Sequence, residues 1–270
     1  MIKISHECPL SLLPMSIIWN DYDYALVHLF EKYPDYYKFY ENSVKTKRHV
    51  LLDNSLFELG EAFNPTEYVK WINKLNPTEY IIPDALGDKN KTIELFNNFI
   101  KNYSKDITKE TKAIGVVQGS SYEDIVECYK TLNDSGFCSK IAFAFIGDAY
   151  TKAFPHPNKW VSMAMGRVLV LSKLLNDGVI NKNLPHHLLG SSHPREFSFY
   201  QGSEFNWIDT LDTSSPIVHG LKKIKYNEQV GTWNKESTKL VDLLETKIDN
   251  VQFNIIENNI KQFKLYVNGK

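Results

Sequence analysis

"KAIGVVQGSSYEDIVECYKTLND", residues 112 to 134, is the stretch whose reading decides the fold. Its first eight residues form a strand-length apolar run without the polar alternation of a half-wet strand, so it reads as a strand covered on both faces, as in a parallel sheet. Beyond a Gly-Ser-Ser turn, residues 121 to 135 carry apolar side chains at helical spacing. Together they spell one β/α unit. Outward from it the unit recurs: HVLLDNS (49 to 55), EYIIPDA (79 to 85), KIAFAFIG (140 to 147), HHLLGSS (186 to 192) and NWIDTLD (206 to 212) are similar runs. Helical spacing fills 65 to 76, which opens on Asn64 and Pro65, and also 88 to 103, 157 to 176 and 193 to 203.

With IKIS near the start and SIIW at 16 to 19 as further strands, the count reaches eight, the number of a (β/α)8 TIM-type barrel. No helix is predicted between those first two strands. The 270 residues fit one barrel of about 250. A doubly wound open sheet is the alternative, but no G-x-G-x-x-G follows an early strand. Residues 235 to 266 read as one or two amphipathic C-terminal helices closing the barrel. Without a linker, repeat or low-complexity tract, residues 1–270 read as a single domain.

A formal net charge of -1, from 31 basic and 32 acidic residues, provides no global field to draw in nucleic acid or membrane, so partners have to be argued from local sites. Cys8, Cys128 and Cys138 have neither disulfide-framework nor zinc-motif spacing, which favours a reduced, cytoplasmic setting. The opening MIKISHECPLSLLPMSIIW, interrupted by Glu7 and two prolines, reads as fold and not as a leader. No apolar window approaches the 18 or so residues of a membrane span.

Four of the predicted strands end in a polar side chain: Asp53 in VLLD, Asp84 in IIPD, Gln118 in GVVQ and Asp212 in IDTLD. In a parallel barrel all C-terminal strand ends share one mouth, so three carboxylates and an amide surround one cavity. Alternation puts Thr210 with Asp212 on one face and turns Asp209 away. Each residue is also followed by turn-like sequence, which a helix-capping role explains equally. Two acids suit displacement at an anomeric carbon, one as nucleophile and one moving protons. A third acid beside an amide suits the edge of guanine, whose N1–H and exocyclic amine a carboxylate accepts while Gln donates to O6.

Here the chain resembles the tRNA-guanine transglycosylase (queuine tRNA-ribosyltransferase) superfamily, including relatives that place 7-deazaguanines into DNA. DTLDTSSPI (209 to 217) is similar to the family's DxFDCVxPT, DNSLFELGE (53 to 61) to its DSGGFQ, and GVVQGSSYEDIV (115 to 126) to its GxVQGGxYxDLR. HLLGSSHPREF (187 to 197) is similar to YLMGVGTPEDL, and FAFIGD (143 to 148) stands where the family has GGLAVGE. The matches run in order over 49 to 220. The resemblance implies a base-exchange enzyme without a cofactor: Asp212 as the nucleophile attacking C1', Asp53 as the proton-transfer residue, and Asp84, Gln118 and Gly119 as base-recognition residues. It implies base contacts for Phe143 and Gly147 as well, and Phe57 is a candidate to stack on a base.

The chain departs from the tRNA enzymes in having no cysteine after Cys138, hence no zinc subdomain, in carrying Phe143 and Phe145 where the family has small residues, and in lacking an appended RNA-binding domain. These departures look most like the phage-type DNA-modifying branch, acting in a host cytoplasm, with DNA favoured over tRNA and a free 7-deazaguanine as co-substrate. A base in duplex DNA must flip out to be reached, at a cost of a few kcal/mol. Lys45, Lys47 and Arg48 before the Asp53 strand, and Lys222, Lys223 and Lys225 after the Asp212 loop, are expected to flank the mouth and hold the backbone. His219 is placed either on phosphate or in a turn. Adjacent His186 and His187 point to opposite strand faces and cannot share an ion, so no metal is expected. The same exchange on tRNA, a catalytically silent barrel that binds nucleic acid or a nucleobase, and a barrel glycosidase are the competing readings.

Overall fold

The computed structural model describes residues 1–108, 110–191, 193–226 and 238–269. Eight strands, β1 (Lys3–Ser5), β2 (Asp23–Leu26), β3 (Val50–Asp53), β4 (Glu79–Ile81), β5 (Lys112–Val117), β6 (Lys140–Ala144), β7 (His186–Leu189) and β8 (Ile208–Asp212), form one sheet. They pair, all in parallel, in the order β1-β8-β7-β6-β5-β4-β3-β2. With helices on the connections this is a (β/α)8 barrel. Leu51, Leu52, Ile114, Ile141 and Leu211 have no exposed surface. Each such side chain contributes about 1.5–3 kcal/mol on burial.

The helices are α1 (Leu13–Trp19), α2 (Leu29–Lys32), α3 (Pro34–Lys45), α4 (Leu56–Leu59), α5 (Pro65–Leu75), α6 (Lys89–Tyr103), α7 (Tyr122–Asp134), α8 (Asp148–Ala153), α9 (Lys159–Asn176), α10 (Ser215–Leu221) and α11 (Asn250–Asn268). Side-chain oxygens cap four of them at their N-termini, where orphan N–H groups need acceptors: Asn64 for α5, Asp88 for α6, Ser121 for α7 and Asn158 for α9. Asp249 and Gln252 form a reciprocal capping box on α11.

Two sequence expectations are corrected. SIIW at 16–19 is not a strand but the end of α1, so a helix does separate β1 from β2. Pro14 in the first turn starts it, and Ile17 and Ile18 lie exposed while Leu13, Ser16 and Trp19 are buried, a division that follows helical and not strand periodicity. Residues 193–203 hold a 3-10 turn, Pro194–Tyr200, instead of an α-helix, opened by the His193 ring accepting from the Arg195 N–H. The predicted tail resolves into a 3-10 turn at Leu240–Leu243 and α11, while residues 235–237 of it, Ser192 at the end of HHLLGSS, and residue 270 lie outside the described residues.

The sheet order begins at β1 and ends at β2, and side chains stitch that seam. Ile4 N–H donates to Asp21 Oδ2 at 2.8 Å and His6 N–H to Asn20 Oδ1 at 2.8 Å. In return Asn20 Nδ2 donates to the His6 carbonyl at 2.9 Å, and Asp21 N–H to the Ile4 carbonyl at 2.9 Å. Among the described residues no helix is long and apolar enough to cross a membrane.

Candidate active site

At the C-terminal strand ends lies a cavity of about 220 Å³, and Asp53, Asp84, Gln118 and Asp212 all line it. The four polar strand ends therefore meet at one place, each carried there by the shared direction of parallel strands. Tyr24 from β2, Phe57 and Glu58 from α4, Gly190 after β7, and Lys239 complete the walls that matter chemically.

Asp212 Oδ1 accepts from His187 Nε2 at 3.0 Å and from the Gly190 N–H at 3.1 Å. The other ring nitrogen of His187 meets Thr210 Oγ1 at 2.9 Å. Residue alternation explains the grouping, since Thr210 and Asp212 project inward from β8 while Asp209 pairs with Lys3 and Lys140 away from the cavity. Across the cavity Asp53 Oδ2 accepts from the Tyr24 hydroxyl, and Oδ1 from the Ser55 N–H at 2.6 Å. Ser55 sits in the left-handed region (φ 61°), which lets α4 fold back over the mouth. Burial, and then the charge of Glu58, hold the Asp53 carboxyl well above the usual range against the pull of its two donors. Burial also pushes Glu58 up to about 7.

Asp84 and Gln118 form a matched edge. Asn54 Nδ2 donates to Asp84 Oδ1 and Gln118 Nε2 to Asp84 Oδ2, both at 2.8 Å, while Gln118 Oε1 accepts from the Gly87 N–H at 2.9 Å. A backbone N–H faces only the amide oxygen, so the orientation of Gln118 is determined and its second N–H remains for a ligand. Burial raises Asp84 to about 6 although both amides lower it. Phe57 is 39% exposed at the mouth, with its ring 5.8 Å from that of Phe145. Lys239 lies over the Phe57 ring and donates to the carbonyls of Phe57 and Glu58 at 3.0 and 3.2 Å.

Several predicted residues fall elsewhere. Phe143 is fully buried on the helix-facing side of β6, stacked on Tyr129 and His186, because alternation gives the cavity wall to its neighbour Ala144. Phe143 therefore does not close the pocket. Gly119 does not line the cavity either: a Cβ there would lie 2.7 Å from the Asp124 side chain, so it is the close-packed turn into α7. Gly147 lines a separate shallow recess with Lys89 and Ser120. His219 is 2% exposed inside α10, with Nδ1 2.8 Å from the Ser215 carbonyl, so burial keeps it from any phosphate.

The basic clusters do not flank the mouth as expected. Lys45, Lys47 and Arg48 precede the first residue of β3, whereas Asp53 is its last, which puts them at the opposite end of the barrel. Arg48 pairs there with Asp23, the first residue of β2, at 2.9 Å, and Lys45 with Glu41 at 2.6 Å. Lys222, Lys223 and Lys225 follow α10 outside the cavity lining, with Lys223 paired to Asp249 at 2.9 Å. His186 packs outward on Tyr129 and Trp207, opposite to His187. No cluster of three or more metal-ligating side chains occurs among the described residues.

Sequence reasoning missed Tyr24, Asn54, Glu58, His187 and Lys239. Tyr24 was lost with the displaced second strand. His187 was legible, since it shares the inward face of β7 with Leu189 by alternation. The contact of Lys239 with α4, 182 residues away in the chain, carries no local signal. Comparison of the chain with protein-family models and with curated proteins finds no match.

Proposed function

We propose that this protein is a guanine transglycosylase that exchanges guanine in DNA for a 7-deazaguanine through a covalent Asp212-glycosyl intermediate. The observation that carries the reading is the convergence of Asp53, Asp84, Gln118 and Asp212 on one cavity. Asp84 and the spare N–H of Gln118 offer an acceptor and a donor to the N1–H, exocyclic amine and O6 of guanine. Asp212 Oδ2, which has no partner among the described residues, attacks C1'. As the C1'–N9 bond breaks, its electron pair leaves with the base, which takes the proton that desolvation keeps on Asp53. In the second half N9 of the incoming base bonds to C1', the C1'–Oδ2 electrons return to Asp212, and the N9 proton goes to Asp53. Proton and charge balance over the two halves.

The cavity is smaller than the 300–1,000 Å³ or so of pockets for drug-sized ligands, in keeping with a single flipped nucleotide. The choice of DNA rests on the family resemblance. Incubating the protein with DNA, and separately with tRNA, plus a free 7-deazaguanine, followed by nucleoside mass analysis, tests it. The modified deoxynucleoside is expected, and is expected to vanish with Asp212→Ala at an unchanged circular dichroism spectrum. Modified tRNA alone overturns the choice of polymer, and incorporation into neither overturns base exchange.

A further inference from the structure

The donors on Asp212 are asymmetric: both reach Oδ1. They belong to a chain of hydrogen bonds through the barrel interior. Lys140, 1% exposed, reaches Glu79 Oε2 at 3.0 Å, Asp209 Oδ2 at 3.2 Å and Thr210 Oγ1 at 3.3 Å. An ammonium has no lone pair, so Thr210 Oγ1 accepts from it and its own proton is free for His187 Nδ1. An ionised Asp212 only accepts, so the nitrogen that faces it, Nε2, carries the ring proton whether the imidazole is neutral or cationic. Lys140 and Thr210 thus select the tautomer that serves the nucleophile. The ring is also held in place, with no exposed surface and stacked against Tyr24 at 6.2 Å and 17°.

We infer that His187 is the positioning residue of the nucleophile, reserving Oδ2 of Asp212 for attack and collecting charge on Oδ1 when the glycosyl ester breaks. This rests on the base-exchange reading and deepens it. In the covalent intermediate Oδ2 is bonded to C1' and Oδ1 is the ester carbonyl oxygen, still facing His187 Nε2 and the Gly190 N–H. When N9 of the incoming base displaces the ester, the bonding pair returns to the carboxylate and Oδ1 takes up negative charge. Donors already aimed at that oxygen strengthen as the charge grows, so they favour departure of Asp212 more than its attack. The second half-reaction is therefore the one that His187 accelerates most.

The test separates the halves with wild type, His187→Leu and His187→Gln, the last keeping an N–H donor for Oδ1. Each full-length protein is loaded on a guanine-containing oligodeoxynucleotide and on a tRNA transcript, the adduct is followed by denaturing intact-protein mass, and it is then chased with a 7-deazaguanine. His187→Leu is expected to chase roughly 100-fold slower, as when one preorganised donor is removed, with loading much less affected and KM little changed. His187→Gln is expected to recover most of the chase rate. Equal slowing of both halves without rescue by Gln, or an unchanged chase, overturns the role of His187. Failure of wild type to form an adduct with either polymer overturns the base-exchange reading itself. If His187→Leu does not fold, Thr210→Val, which removes the proton donated to Nδ1, has to slow the chase selectively; an unchanged chase there overturns the proposal.

Discussion

Asp84 is the residue at which stability and the proposed base recognition pull in opposite directions. Its acceptor oxygens are useful to a base edge when ionised, yet burial raises its pKa from 3.8 to about 6. A carboxyl with a raised folded pKa binds its proton more tightly when folded, so its stabilising contribution is complete below the unfolded value and is lost as pH climbs through 6. At neutral pH the ionised group costs about 3 kcal/mol relative to the protonated one. His6, His186 and His193, all lowered by burial to between about 3 and 4, act the other way, since the unfolded chain binds their protons first and stability rises with pH across their range. A difference measurement isolates Asp84: urea unfolding of wild type and Asp84→Asn at pH 4 and pH 7 is expected to show the gap moving by about 2 kcal/mol in favour of the variant, because at pH 4 part of the titration is already complete. A gap independent of pH would remove the buried carboxylate from the account. In the sequence the position of Asp84 at a strand end was legible, but not Asn54 and Gln118 converging on it, because 30 and 34 residues of chain separate them from it.

At the level of elements, the loop after β7 is built to deliver one N–H. Gly190 adopts φ 63°, and a Cβ there would come within 2.5 Å of the Phe145 ring. Arg167 from α9, with no exposed surface, donates to the carbonyls of Leu189 and Gly190 at 3.1 and 3.0 Å and is itself held by both carboxylate oxygens of Glu196. Gly190→Ala is expected to destabilise the fold by roughly 1–3 kcal/mol through the left-handed backbone, read as a lower denaturant midpoint, and to slow exchange by displacing the donor on Asp212. A variant as stable and as active as wild type would show that the loop tolerates a side chain. The Gly was visible in HHLLGSS as a turn signal. The clamp was not, because nothing local marks Arg167 as buried.

For the molecule as a whole, the weak point is the seam between β1 and β2. Asn20, 7% exposed, supplies both a donor and an acceptor to the backbone of His6, substituting for a ladder between the end strands. Removing it strands the buried His6 N–H, at about 1–3 kcal/mol, while the His6 carbonyl keeps only the weak Cys8 Sγ donor at 3.3 Å. Asn20→Ala is expected to lower the urea midpoint and to speed amide exchange at His6 selectively; uniform exchange across the barrel would argue against a local seam. The same whole-molecule geometry separates the charges, sending Arg48 and its lysine neighbours to the end opposite the cavity because they precede a strand instead of following it.

Periodicity, strand-end residues and caps are local properties of the chain, and they alone indicated the barrel class, seven of its eight strands, the helices α5, α6, α7, α9 and α11, and which strand ends bring polar side chains to one mouth, but not α3. Where an apolar run is as short as SIIW, between β1 and β2, strand and helix periods cannot be told apart locally, and tertiary packing chose the helix. Only the assembled barrel decided what faces what: that Tyr24 reaches Asp53, that His187 reaches Asp212, that Phe143 turns outward, and that the basic clusters lie away from the cavity lining. Those facts depend on the register between strands distant in sequence, which side chains set cooperatively across the core and no short window of sequence contains.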